Sequence, residues 1–199
     1  MLPPRSVLIT GASRGLGLEF VKQFLQVPTP PEFLFATCRN PDNAKELQEV
    51  AKSNSSITIM KLDVSEMNTI EEAKKLVESK VGDGGLNLLI NNAGINKRVT
   101  LDTVTPDMML DTFNINVNGP LFTTKTALNM LCKILHNELK AKGIHVGCLH
   151  PGWVQTDMGT AKAPVTVSQS VCGCIQVMSN MNAENACVFT DYTGNSLPW

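Results

Sequence analysis

The sequence predicts an α/β fold in which a doubly wound parallel sheet carries helices on both faces. Three observations predict it. Short apolar runs alternate with segments of helical periodicity from residue 6 to residue 90. A glycine-rich turn, Thr10-Gly11-Ala12-Ser13-Arg14-Gly15-Leu16-Gly17, separates the first apolar run from the first helical segment. The chain's 199 residues, 43% hydrophobic and 18% charged, suffice for one compact domain with a substantial core.

Each element follows from local chemistry. Residues 6–10 form a short strand that ends in the glycine turn. Residues 15–26 show helical spacing through Leu18, Val21 and Leu25, and Pro28-Thr29-Pro30-Pro31 is a loop. Residues 33–38 form a second strand, 42–52 a helix, 57–64 a third strand and 68–80 a third helix. Gly82-Asp83-Gly84-Gly85 ends that helix, and 86–90 is a fourth strand. Right-handed crossovers wind such a βαβαβαβ series into a Rossmann-like sheet.

The second half is less regular. Thr105 caps a helix with Pro106 at its first position; the helix runs towards Asn118, and Gly119-Pro120 breaks it. Leu128, Leu131, Leu135 and Leu139 mark one face of a further helix, which Gly143 stops. Residues 144–149 form a fifth strand, 165–179 a helix and 186–190 a last strand. We find no repeat or linker, so residues 1–199 read as a single domain.

Composition narrows the function. A net charge of −1 gives no footprint for nucleic acid. No apolar run reaches membrane-spanning length, and the first residues lack a signal-peptide layout, so a cytoplasmic location is expected. The six cysteines, Cys38, Cys132, Cys148, Cys172, Cys174 and Cys187, form no C-x-x-C pair and no metal-ligand spacing with histidine. Most lie in apolar stretches, where a free thiol behaves as a small hydrophobe. No metal site is expected.

The glycines at 11, 15 and 17 carry the first functional reading. Glycine permits the tight turn and brings backbone close to a ligand. The free N–H groups at the start of the following helix, with its dipole, then face a pyrophosphate. The position of the turn after the first strand of an alternating chain makes this dinucleotide signal strong. The cradle comprises Gly11, Ser13, Arg14, Gly15, Leu16 and Gly17. At the end of the second strand, where an acid would hold the ribose hydroxyls of NAD, stands Arg39. With Arg14 it offers two guanidiniums for a 2′-phosphate, which favours NADP(H) over NAD(H). Asp63 is placed either to hydrogen-bond the adenine edge or to cap the following turn.

Beyond the cradle, the segments Asp63-Val64, Asn91-Asn92-Ala93-Gly94, Asn116-Val117-Asn118-Gly119 and Pro151-Gly152-Trp153-Val154-Gln155-Thr156 follow in order. Together with Thr10–Gly17 they resemble the ordered motifs of the short-chain dehydrogenases/reductases. Residues 149–159 and the closing Asp191-Tyr192-Thr193-Gly194-Asn195-Ser196-Leu197-Pro198-Trp199 are similar to the small carbonyl reductases of the C-factor and sniffer group. The resemblance implies an NADPH-dependent reductase of small carbonyl compounds. It implies that Val64, Asn92, Ala93 and Gly94 line the cofactor pocket, and that Pro151, Gly152, Val154 and Thr156 lie beside the nicotinamide. It gives Asn116 the role of the family's catalytic Asn, and Lys125 that of the Lys in its Tyr-x-x-x-Lys motif.

One interior segment departs from the family. Between Ile95 and His150 the chain contains neither Tyr nor Ser. In the family a Lys cation lowers the pKa of a Tyr one helical turn away, and that Tyr hands a proton to the carbonyl oxygen as hydride arrives. A Ser on the preceding strand binds the same oxygen. Here Leu121 stands where the Tyr belongs, and a leucine neither donates nor accepts a proton. The only Tyr is Tyr192. Asn116 and Lys125 are nine residues apart, where the family has several dozen. An in-frame deletion that fuses one helix to the next accounts for this. It leaves one strand and part of two helices fewer than the family, and Lys125 then belongs to either parent helix. The family's homodimer is built largely from those helices, so the shortening removes part of that surface.

Two structural outcomes stand open. The strand at 144–149 takes the vacated place beside 86–90, or a core face is left without partners. Losing several buried side chains at ~2–5 kcal/mol each exceeds a net stability of about 5–15 kcal/mol unless the rest repacks. Three functional outcomes stand beside them: a working reductase with a substitute acid, a catalytically silent NADP(H)-binding or partner-binding protein, or a poorly folded product. Thr123 and Thr124, whose high pKa makes them poor donors, and His136 and His150 are the candidates for that substitute acid.

Overall fold

The computed structural model describes residues 4–95, 103, 105–113 and 125–198, with the backbone alone at 111–113 and 125–131. The chain groups into two compact units, Pro3–Gly94 and a second holding Ile95–Trp199. The first contains β1 (Ser6–Ile9), α1 (Gly15–Phe24), β2 (Phe33–Cys38), α2 (Lys45–Lys52), β3 (Ile57–Lys61), α3 (Met67–Val81) and β4 (Leu88–Ile90). The second contains α4 (Pro106–Phe113), α5 (Lys125–Leu139), β5 (Cys148–His150), α6 (Val167–Ser179) and β6 (Phe189–Asp191).

In the first unit the four strands form one parallel sheet in the order β3-β2-β1-β4. Successive strands add to one side from β1 to β3, and β4 then joins the other side of β1. That reversal is the switch point at which open α/β sheets bind ligands, beyond the carboxyl ends of the strands. The sequence explains the layering. Val7, Ile9, Leu34 and Ala36 are fully enclosed, and their alternates Leu8 and Phe35 are buried as well. Strands buried on both faces read as continuous apolar runs. Leu8, Phe35, Met60 and Leu62 pack with Ala73, Val77 and Val81, which recur at helical spacing along the inner face of α3. On α1, Leu18, Val21 and Phe24 form the corresponding buried stripe.

Three expected strands of this unit are shorter than their apolar runs, the one at 6–10 only by its last residue. The run at 57–64 leaves the sheet after Lys61, because Asp63 turns the chain: its Oδ1 accepts from the Ser65 N–H at 2.9 Å, and Glu66 N–H donates to its carbonyl at 3.0 Å. The run at 86–90 starts its ladder only at Leu88. Ser6 N–H donates to Asn87 Oδ1, and Asn87 N–H to Ser6 Oγ, each at 3.0 Å, so side chains replace the ladder there. The expected helix at 42–52 divides into a 3₁₀ turn, Pro41–Asn43, and α2.

In the second unit, the Thr105 hydroxyl accepts from Met108 N–H at 3.2 Å, giving α4 the cap its sequence anticipates. Gly143 stops α5 after a 3₁₀ turn by taking φ +74, a left-handed conformation that suits glycine. α6 opens on a capping box in which Thr166 and Gln169 satisfy each other's backbone N–H. The strand expected at 144–149 reduces to β5, and its hydrogen-bonded neighbour is β6, in a two-stranded parallel sheet. Residues 114–124, with Asn116, Leu121, Thr123 and Thr124, lie outside the described residues.

Among the described residues no helix is long and apolar enough to cross a membrane. No group of His, Cys, Asp and Glu among them could hold a metal ion.

Candidate cofactor cradle

The switch point of the first unit is built from the glycine turn and Asn91–Gly94. Gly11 has φ +69 and Gly15 φ +56, so the turn uses left-handed backbone at both. Gly11 is also a point of close approach: a Cβ there would stand 2.9 Å from the Cα of Ala93. A Cβ on Gly17 would stand 2.6 Å from the Asn92 side-chain nitrogen and still closer to the Gly11 carbonyl oxygen. Neither position tolerates a larger residue without moving backbone.

Asn92 locks the two segments together. Its Nδ2 donates to the carbonyls of Thr10 at 2.9 Å and Gly11 at 3.2 Å. The Thr10 hydroxyl oxygen accepts from the backbone N–H of Asn92 and of Ala93, each at 3.0 Å. Ala12 N–H donates to Thr37 O at 2.8 Å, which ties the turn to β2 as well. Thr10 is thus a site residue that pattern reading missed. Its signal was a buried hydroxyl at the end of an apolar strand, just before the first glycine.

The start of α1 is exposed at Arg14 and Gly15. Arg14 occupies its N-cap with extended backbone and no side-chain cap, and the first turn carries no acid. Exposed Arg14 and Gly15, with half-buried Ser13 and Leu16, border that end, while Gly17 is buried. Uncapped N–H groups with the positive end of the helix dipole suit a phosphate. Arg39 is exposed just past the carboxyl end of β2. These residues fit a dinucleotide phosphate: the turn is tight where backbone must approach and cationic where charge must be met.

Asp63 takes the capping alternative at one oxygen. Oδ1 accepts from Ser65 N–H and, at 2.6 Å, from the Ser65 hydroxyl. Val64 packs against the α3-side core. Gly94 is exposed at the end of the Asn91–Gly94 segment.

In the second unit, Pro151–Thr156 forms its own ordered loop after β5. The Ser170 hydroxyl donates to Pro151 O at 2.6 Å. Gly152 has φ +85, and the Tyr192 ring lies against it, 3.0 Å from where a Cβ would stand. That ring also lies against Gly173, so the chain's only tyrosine serves packing between the loop and α6. Val154 is buried and bridges to Val165, and the Thr156 hydroxyl accepts from Gly159 N–H at 3.1 Å. Lys125 is the first residue of α5, and its side chain is outside the described residues. His136 is buried on α5 with its ring stacked on His145 at 6.3 Å, and His150 is exposed at the end of β5.

The comparisons agree with this architecture. The family model for short chain dehydrogenases matches residues 5–131. An uncharacterized oxidoreductase of Schizosaccharomyces pombe is 28% identical over 248 aligned positions, covering 96% of each chain. The C-signal protein of Myxococcus xanthus is 31% identical over 161 positions, which span 61% of this chain and 97% of that protein. Among solved structures, the NADPH-bound carbonyl reductase from chicken fatty liver superposes with a TM-score of 0.92 at 33% identity, covering 98% of this chain and 99% of that one. Carbonyl reductase Sniffer of D. melanogaster gives the same TM-score of 0.92, identity of 33% and coverage of 98% and 99%. The chain is a carbonyl reductase-like member of the short-chain dehydrogenase family.

Proposed function

We propose that this chain binds NADP(H) through the cradle of its first unit and does not reduce carbonyl compounds. One observation carries the reading: the phosphate cradle is complete, while residues 95–150 hold no Tyr and no Ser. Bound NADPH supplies hydride to a carbonyl carbon, and the family pairs that hydride with a proton from Tyr. Leu121 has no proton to give. Tyr192 is committed to the contact with Gly152 and Gly173.

The internal deletion belongs to this reading. An alignment of 248 positions against a chain of 199 leaves at least 49 positions without a residue of this chain, which supports a missing interior segment. The NADPH held by the chicken carbonyl reductase, together with Arg14 and Arg39, supports the choice of NADP(H) over NAD(H). A cytoplasmic location is part of the same reading, on the composition alone.

Fluorescence titration of the purified chain with NADPH and with NADH tests the binding half. Saturation by NADPH at concentrations at least tenfold below those needed for NADH supports it. Equal saturation by both would remove the roles given to Arg14 and Arg39, and absence of binding would overturn the reading.

A further inference from the structure

Two buried cysteines of the second unit meet in an arrangement the cofactor reading does not use. Cys132, on α5, and Cys148, on β5, are each at least nine-tenths enclosed. Their sulfurs are 2.7 Å apart, with the Cys148 thiol donating to the Cys132 sulfur. Unbonded heavy atoms rest farther apart than this, and a disulfide bond needs ~2.04 Å. The inward face of α5 sets the pair: Cys132 and His136, one turn on, are buried, while Lys133 and Ile134 between them are exposed. Half-buried Cys187 is adjacent, its N–H bonded to Val146 O at 3.0 Å beside β5.

We propose that Cys132 and Cys148 are a redox-modification site, joined by a reversible intrachain disulfide when a hydroperoxide is the oxidant. The hydrogen bond from Cys148 holds the Cys132 thiol below its ordinary range, and the same bond, with burial, holds Cys148 above it. Cys132, whose sulfur accepts the Cys148 thiol hydrogen at 2.7 Å, is the first nucleophile. Its thiolate attacks a peroxide oxygen: an S–O bond forms, the O–O bond breaks, sulfur loses two electrons, and the other oxygen departs as hydroxide. The Cys148 sulfur then displaces the hydroxyl from Cys132. The S–S bond forms, the S–O bond breaks, and the departing hydroxide takes the Cys148 proton as water. Two thiols and one hydrogen peroxide give one disulfide and two waters. A dithiol reductant reverses the bond by exchange.

Trypsin makes the site readable, because Cys132 falls in peptide 126–133, Cys148 in 143–162 and Cys187 in 163–199. The folded wild-type chain is treated with hydrogen peroxide, alkylated, digested and analysed by mass spectrometry, with a guanidinium-unfolded sample alongside. The expected result is a 126–133/143–162 cross-link, two hydrogens lighter than its parts. It should be at least tenfold more abundant than any other pair and abolished by dithiothreitol. It should be lost in Cys132→Ser and in Cys148→Ser, and kept within twofold in Cys187→Ser. Fully alkylated 126–133 after oxidation, a 143–162/163–199 link in its place, or the same scrambled links as the unfolded sample would each overturn the proposal. The wild-type reading stands whether or not a serine variant folds.

Discussion

The α-carbon of Ala93 lies 2.9 Å from the point where a β-carbon on Gly11 would stand. This contact brings the glycine turn and the Asn91–Gly94 segment together at the switch point, with Asn92 and Thr10 bonding across it. Gly85 offers the contrast: its φ is +62, yet a β-carbon there would meet nothing within 4 Å. Gly85 pairs that φ with ψ −179, a region essentially confined to glycine, so Gly85→Ala should incur the conformational term alone, about 1–3 kcal/mol. Gly11→Ala should add a backbone clash, lowering the unfolding midpoint further and weakening NADPH at least tenfold. Denaturant unfolding and NADPH titration of the two variants check this; equal behaviour would mean that Ala93 is not a wall of the site.

Arg39 stands exposed beyond β2, where an acid would serve NAD. Arg39→Ala should lose about tenfold in NADPH affinity, or about 1.4 kcal/mol, and leave NADH binding unchanged. The ratio of the two dissociation constants is the readout. An unchanged ratio would assign the 2′-phosphate to another group.

Leu121 replaces the proton donor, but the segment carrying the family's Ser is also missing from the sequence. Leu121→Tyr alone should therefore show no carbonyl-dependent NADPH oxidation above the wild-type background. Measurable turnover by that single variant would contradict the deletion.

Asp191 Oδ1 accepts from the Thr193 hydroxyl at 2.7 Å and from the N–H groups of Thr193 and Asn195 at 2.9 Å. The hydroxyl bond, foremost, and the two N–H bonds hold its carboxyl below the ordinary value of 3.8 against the opposing effect of burial. A depressed folded value means that the turn is stabilised above the unfolded value and loses that contribution as pH falls through the folded one. An NMR titration of the Asp191 carboxyl should give a midpoint below 3.8. A midpoint at or above it would remove the three-donor turn.

How much of this was legible depended on how far the controlling partner lies along the chain. β2 was readable with its bounds, because Phe33–Cys38 is an apolar run closed by Pro30-Pro31 and Arg39-Asn40. The glycine turn was readable because φ > 0 and close approach both select glycine. The ends of β3 and β4 were not: they are set by the side chains of Asp63 and Asn87, and the latter's partner, Ser6, is 81 residues away. Thr10 escaped for the same reason, since the N–H groups it holds are 82 and 83 residues on. The Cys132–Cys148 contact joins a helix to a strand across 16 residues, a spacing with no motif. The pairing of β5 with β6 depended on which ladder a three-residue strand finds, and periodicity carries no information on that.

The most direct test of the central claim is NADPH consumption in the presence of a small aldehyde or ketone, measured on protein already shown by titration to be saturated with NADPH. The account predicts full occupancy with no carbonyl-dependent oxidation of the cofactor. Carbonyl-dependent turnover by the saturated wild-type chain would contradict it, and would mean that another group supplies the proton that Leu121 cannot.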